Sequence, residues 1–128
     1  MLHRINLWWL AIATVLTTRL LTMAWVPLMD TSEPRYAEIA RLMMTSGDFV
    51  TPWFEPGTPF WGKPPLSFWC EALAMQWFGI SEFAVRFPSW LATVLTIVLV
   101  HSFAKAFFTL RVARLAALVY ASSSLVFV

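Results

Sequence analysis

The sequence predicts an all-α integral membrane protein, with transmembrane helices joined by helices that lie in the membrane interface. The first observation is composition: of 128 residues, 59% are hydrophobic, 16% aromatic and only 12% charged. Soluble domains contain roughly 45–50% apolar and 25% charged residues. A soluble domain of this size has too little interior for so much apolar surface, and disorder requires the opposite composition. Lipid can cover that surface instead.

The second observation is three apolar stretches, at 5–29, 87–104 and 115–128. A helix needs about 20 residues to cross a bilayer. The first stretch is interrupted by Arg19, and it is too long for the core of a signal peptide, with no small-x-small cleavage site before Asp30. We therefore expect span 1 at 5–29, span 2 at 87–104 and the start of span 3 at 115–128, in the N-terminal part of a longer polytopic protein.

The charges predict the orientation of these spans. Arg4 precedes the first stretch, and Lys105, Arg111 and Arg114 separate the second from the third. Because short loops rich in Lys and Arg stay in the cytoplasm, the loop at 30–86 is expected to be extracytoplasmic. That loop contains all seven acids, which are Asp30, Glu33, Glu38, Asp48, Glu55, Glu71 and Glu82.

The loop itself predicts a first interfacial helix at about 33–46. Ser32 is a suitable N-cap, Pro34 is tolerated in a first turn, and Gly47 favours a helix end. Glu38 and Arg41 are three residues apart and form a favourable pair on the outer face. Apolar residues recur at helical spacing on the other face, at Tyr36, Ile39, Ala40 and Met43.

A second interfacial helix is predicted at about 65–78, with Gly79 at its end. Its only formal charge is Glu71. Its apolar stripe consists of Leu66, Trp69, Cys70, Leu73 and Trp77. The segment Thr51–Lys63 between the two helices has no periodicity, so the sequence leaves open whether this loop is ordered or mobile.

Several function classes are excluded by what the sequence lacks. The basic residues are spread along the chain with no block that could follow a phosphate backbone, so nucleic acid is not an expected partner. Cys70 is the only cysteine, which rules out an intrachain disulfide and a cysteine-based metal site. No P-loop, GxGxxG or CxxC motif indicates a nucleotide or redox site.

The loop resembles the first extracytoplasmic loop of polyprenyl-phosphate-sugar glycosyltransferases. The resemblance covers about residues 25–95 and is to the lipid A 4-amino-4-deoxy-L-arabinose transferases within the wider protein O-mannosyltransferase superfamily. It rests on the order and spacing of an acidic cluster, Arg35-Tyr36, Ala37–Arg41, Ser46-Gly47-Asp48, Lys63-Pro64-Pro65, Phe78-Gly79 and Arg86-Phe87-Pro88. It implies a GT-C-type membrane fold in the bacterial inner membrane.

The resemblance also implies an activity. Such enzymes move a sugar, with inversion, from a polyprenyl-phosphate donor to an acceptor hydroxyl of lipid A, another glycolipid or a protein, at the outer face of the inner membrane. The expected partners are therefore this donor, the membrane lipid and the acceptor, and we expect residues 1–128 alone to be inactive. The alternative is a non-catalytic membrane module, such as a transporter segment or a small membrane subunit.

The resemblance assigns candidate site residues. The transferases typically contain Asp-Glu-x-Arg-Tyr; aligned on Arg35-Tyr36, their Glu falls on Glu33 and their Asp on Ser32, with Asp30 two residues earlier. The general base for the acceptor hydroxyl is therefore Asp30 or Glu33. Arg35 and Lys63 are the candidates for the lipid phosphate, and Tyr36 for orienting sugar or phosphate.

The cofactor is left open by the sequence. In the arabinose transferases an acid commonly precedes the lysine that matches Lys63, and that acid is linked to a metal. Here Gly62 occupies the position, and the chain offers no other ligand cluster for a divalent metal.

The orientation predicts the labelling of introduced cysteines. In a protein with Cys70 replaced by Ser, Thr58→Cys should react with a membrane-impermeant thiol reagent in intact cells, because residue 58 lies in the extracytoplasmic loop. His3→Cys should be protected until the cells are opened. Protection at 58 together with labelling at 3 would reverse the orientation.

Overall fold

The computed structural model describes residues 7–29, 32–55 and 57–123. These residues group into two compact units, one formed by 22–88 and the other by the segments before and after it. The described chain forms five helices and one short hairpin. Their bounds are α1 Leu7–Thr22, α2 Glu33–Ser46, β1 Trp53–Glu55, β2 Thr58–Pro59, α3 Leu66–Phe78, α4 Glu82–Phe107 and α5 Leu110–Ser122.

The apolar stretches form helices whose limits differ from the predicted spans. Among the described residues, α4 is the one helix long and apolar enough to cross a membrane, with 26 residues. Helix α1 has 16 residues, or about 24 Å at 1.5 Å per residue, because it ends at Thr22 and the chain turns before Pro27. Helix α5 ends at Ser122, and the remainder of the predicted third span, 124–128, lies outside the described residues.

The unit built from the chain ends contains α1, most of α4, and α5. Ile12, Ile97, Ala117 and Ala121 form its buried cluster. The small side chains at every fourth position of α5 allow close helix packing, as is typical of helices in lipid. The Trp90 indole donates a hydrogen bond to the Leu16 carbonyl oxygen at 3.1 Å, which ties α4 to α1.

The unit of 22–88 is built on the packing of α2 against α3. Ile39, Ala40 and Met43 of α2 are completely buried, as are Phe68 and Ala72 of α3. The periodicity of α2 therefore predicts its buried face. The start of α2 differs in one detail, because the Ser32 side chain makes no capping hydrogen bond to the helix.

The aromatic stripe of α3 lies on the face opposite the buried one. Leu66, Trp69, Leu73 and Trp77 are exposed, and Trp77 retains 76% of its accessible surface. Helix α3 is thus apolar on both faces, with small residues and Phe68 inward and large residues outward. An outward face of this kind is suited to the membrane interface.

The described part of the segment without periodicity contains a short hairpin, which makes one correction to an all-α fold. The Asp48 carboxylate accepts hydrogen bonds from the Val50 and Thr51 amides, both at 3.0 Å, and from the Trp53 indole at 2.9 Å. These bonds hold the pKa of Asp48 below its usual range, the Thr51 amide most strongly. The turn they fix starts the β1–β2 hairpin, in which Trp53 pairs with Pro59.

Arg86, in the first turns of α4, links three segments of this unit. Its guanidinium donates to both Glu33 carboxylate oxygens, at 2.7 and 2.9 Å, where α2 begins. It also donates to the backbone carbonyl oxygens of Met23, Val26 and Pro27. The Arg86 side chain is only 18% exposed. A planar fork of N–H donors makes this arrangement available to arginine and not to lysine.

Replacing Arg86 should destabilise the unit of 22–88. Arg86→Met leaves the Glu33 carboxylate and the carbonyl groups without their donor, which should lower the free energy of unfolding by about 2–3 kcal/mol, somewhat less than for a fully buried pair. The measurement is thermal unfolding of the full-length protein in detergent, followed by tryptophan fluorescence. Arg41→Met is the control, since the Arg41–Glu38 pair is exposed and should be worth under about 1 kcal/mol. Equal losses in the two variants would contradict the role assigned to Arg86.

Candidate functional site

Four of the five candidate residues can be located, all of them in the unit of 22–88. Glu33, Arg35 and Tyr36 lie in the first turns of α2, and Lys63 lies just before α3. Asp30 lies outside the described residues. The structure therefore shows the surroundings of one of the two candidate bases and of all three candidate donor-binding residues.

Glu33 is engaged by Arg86. Each of its two carboxylate oxygens accepts a hydrogen bond from the guanidinium, and its side chain is 31% exposed. A general base needs an oxygen directed at the hydroxyl proton that it removes. The Glu33 oxygens are directed at Arg86, so its geometry is that of a residue that holds α2 in place.

Lys63 and Tyr36 are brought together. The Lys63 Nζ lies 4.0 Å from the centroid of the Tyr36 ring, within the range of a cation–π contact. The ring packs in turn against Phe60 and Phe68, with centroids 6.0 and 5.8 Å away. Pro64 disfavours a helical backbone at the preceding residue. The ammonium group is therefore held over an aromatic cluster while the lysine itself stays exposed.

Arg35 points to a different place. Its guanidinium lies 5.4 Å from the centroid of the Phe54 ring in β1. The two candidate phosphate ligands thus rest on separate aromatic rings. Arg35 lines an open groove of about 570 Å³ together with Pro34, Glu38, Arg41, Leu42, Phe54 and Glu55.

Glu38 in the same groove is already paired. Arg41 donates two hydrogen bonds to its carboxylate, at 2.6 and 2.8 Å, and these hold the pKa of Glu38 below its usual range. The i,i+3 pair predicted from the sequence is present. Because Glu38 is paired with Arg41, the contact described for Arg35 in this groove is the one with the Phe54 ring.

Glu71 lies beside these residues, although no motif in the sequence marks it. Its carboxyl lies near Lys63 and Glu33, close enough for both charges to act on its pKa. Burial raises the pKa of Glu71 to about 7; the Glu33 charge acts in the same direction and the Lys63 charge opposes it. One feature of the sequence does point to it. Glu71 is the only formal charge of α3, and it follows Phe68 by three residues, which places it near the face of α3 that is buried against α2.

Gly62, the residue before Lys63, has little room for a side chain. A Cβ atom at Gly62 would lie 2.7 Å from Cζ of Phe60, so a side chain at this position would displace that ring. Among residues 7–29, 32–55 and 57–123, no group of three or more His, Cys, Asp and Glu side chains could hold a metal ion.

Comparisons with known proteins bear on this site. Residues 62–128 match the family model described as dolichyl-phosphate-mannose-protein mannosyltransferase. The chain is 41% identical over 102 residues to the undecaprenyl phosphate-alpha-4-amino-4-deoxy-L-arabinose arabinosyl transferase of Aeromonas hydrophila, and 41% over 106 residues to that of Edwardsiella ictaluri. The transferase of Yersinia pestis is 40% identical over 106 residues.

These matches have a defined extent. They cover 79% of this chain for the Aeromonas protein and 82% for the other two, but 18% of each relative. No solved structure matches the chain. The family model spans more than half of the 128 residues, and its match includes Lys63, Glu71 and Arg86. The chain belongs to the dolichyl-phosphate-mannose-protein mannosyltransferase family.

Proposed function

We propose that this chain is part of a glycosyltransferase that moves a sugar from a polyprenyl-phosphate donor to an acceptor hydroxyl. The observation that carries the proposal is the Lys63 ammonium held at 4.0 Å over Tyr36, with the carboxyl group of Glu71 near enough to feel its charge. The relatives are named as transferases that use an undecaprenyl phosphate-linked aminoarabinose. A cation held in this way supplies the anion ligand that such a transfer needs.

The reaction requires one proton acceptor and one anion ligand. The acceptor oxygen forms a bond to the anomeric carbon from the side opposite the leaving group, and the bond from that carbon to the phosphate oxygen breaks. The hydroxyl proton passes to a carboxylate, and the lipid phosphate leaves with the bonding electron pair. The configuration of the sugar is thereby inverted.

Asp30 is our choice for the carboxylate that takes the proton. Its rival Glu33 directs both oxygens to Arg86. Asp30 lies nearer in sequence to the end of the first apolar stretch, where the headgroup of a lipid donor would be. Glu33 then acts on the site through the position of α2, since its pairing fixes the turns that contain Arg35 and Tyr36.

Lys63 is our choice for the leaving phosphate. Negative charge develops on that phosphate as the bond breaks, and a fixed ammonium at a water-poor interface stabilises it more than a mobile one in water. Arg35 lies over Phe54, so its contribution is to the groove beside α2, where it can meet a more distant part of the donor or the acceptor.

The location of the reaction follows from the charges. With the loop at 30–86 on the extracytoplasmic side, as the charges predict, Lys63 would lie at the outer face of the bacterial inner membrane. Helix α4 supplies one membrane-spanning helix by length and composition. The acceptor is lipid A, another glycolipid or a protein, all of which present hydroxyl groups on that side.

Substitutions at the two acids should separate their roles. In the full-length protein, Asp30→Asn should reduce the rate of sugar transfer by about 10²-fold or more, the scale of general-base assistance. Glu33→Gln should reduce transfer less and should lower thermal stability, because it weakens the pairing with Arg86. The measurements are turnover with a radiolabelled donor and thermal unfolding of each variant. Loss of transfer in Glu33→Gln with retention in Asp30→Asn would make Glu33 the base; wild-type turnover in both would reject this cluster as catalytic.

Removal of the lysine charge should weaken donor binding. Lys63→Met keeps the apolar stem over Tyr36 and should lower donor affinity by about 10- to 100-fold, the range of a charge-assisted hydrogen bond. Arg35→Met should act in the same direction with a smaller effect. Lys105→Met, at the end of α4 and on the opposite predicted side of the membrane, should leave binding unchanged. If a folded Lys63→Met protein kept its donor affinity and its rate of sugar transfer, Lys63 would not bind the phosphate and would serve only to anchor the loop at the membrane interface.

A further inference from the structure

Glu71 has a buried oxygen that nothing satisfies. Its Oε2 atom is inaccessible to solvent and has no hydrogen-bond partner among the described residues. The residue sits one turn after Phe68 and next to Ala72, both completely buried. A buried polar atom without a hydrogen-bond partner is unfavourable, and more so when it is charged. A ligand held by Lys63, whose charge acts on the same carboxyl group, would supply a partner for this atom.

Two charged groups act on Glu71, and a third, Arg86, is paired with one of them. Glu33 approaches from α2, and Lys63 from the segment before α3, where it rests on Tyr36. Arg86 of α4 is committed to Glu33 and to backbone carbonyl groups. Lys63 is therefore the cation near Glu71 that makes no ion pair elsewhere in the described chain.

We propose that Glu71 controls the binding of the donor phosphate, because only its neutral form leaves Lys63 available and itself donates a hydrogen bond to a phosphate oxygen. The proposal rests on the proposed function and adds a second phosphate ligand to it. An ionised carboxylate and a phosphate are both acceptors and repel each other. A protonated carboxyl group supplies the missing donor.

The two protonation states differ in what surrounds Lys63. When Glu71 is ionised, its negative charge attracts the Lys63 ammonium and competes with the phosphate. When Glu71 takes up a proton from water, the ammonium faces one anion, the phosphate, and the Glu71 hydroxyl binds that same anion. Release of the lipid phosphate returns the proton to solvent.

The sign of the pH dependence follows from this linkage. Burial already places the pKa of Glu71 at about 7, and a bound anion raises it further, since negative charge nearby favours the neutral carboxyl. Binding then takes up a proton. Donor affinity should be highest near pH 6 and about tenfold weaker at pH 8.

The test uses a ligand whose own charge is constant. The ligand is a phosphodiester that carries one polyprenyl and one methyl group. It keeps one negative charge between pH 6 and pH 8, whereas a phosphate monoester titrates in this range. Its dissociation constant is measured with the full-length protein in lipid nanodiscs at pH 6, 7 and 8. Glu71→Gln is the decisive variant because it retains the shape and a hydrogen-bond donor and cannot ionise. Glu82→Gln, an exposed acid at the start of α4, is the matched control.

The expected result is a tenfold fall in wild-type affinity from pH 6 to pH 8, a constant high affinity in Glu71→Gln, and wild-type behaviour in Glu82→Gln. Glu71→Leu, which has neither charge nor donor, should bind more weakly than Glu71→Gln at pH 6 and show no pH dependence. The same pH profile in Glu71→Gln as in the wild type would overturn this inference and leave the proposed function intact. Absence of binding to the wild type at every pH, or binding unaffected by Lys63→Met, would overturn the proposed phosphate site itself.

Discussion

The pairing of Arg86 with Glu33 is the interaction on which the unit of 22–88 depends. One guanidinium joins the start of α2, the start of α4 and the backbone at residues 23–27. These segments are distant in sequence, and Arg86 is 53 residues from Glu33. With α2 fixed at its first turn, Tyr36 presents its ring to Lys63 from a defined position. The proposed chemistry thus depends on a residue that need not touch the substrate.

The helices of this unit could be predicted because their signals are local. Glu33 and Pro34 suit a first helical turn, Gly47 adopts a left-handed conformation at the end of α2, and apolar spacing marks the buried face. The hairpin could not be predicted in this way, since its turn depends on Asp48 accepting bonds from three donors that follow it. The length of α1 also escaped prediction, because hydropathy continues to Met29 whereas the helix stops at Thr22.

The candidate site was predictable in its residue types but not in its pairings. Sequence order and spacing selected Lys63 and Tyr36 separately, and only the fold shows the ammonium over the ring. The sequence makes Arg35 and Lys63 candidates for the same lipid phosphate. In the structure their charged groups lie over different rings, those of Phe54 and Tyr36. Glu71 was visible as an isolated charge, but its burial beside Lys63 is a property of the packing between α2 and α3. Partners brought together by tertiary packing leave no mark in local sequence.

The two apolar faces of α3 have a consequence for how this part of the protein can be handled. Its inner face is satisfied by α2, whereas Leu66, Trp69, Leu73 and Trp77 form a continuous outer stripe that requires cover. Exposed apolar patches of this kind drive association in water. The unit of 22–88 excised as a free peptide would therefore self-associate or bind detergent, however well its core is packed. Whether this unit stays in solution therefore depends on what covers the outer stripe of α3 and not on the packing of its core.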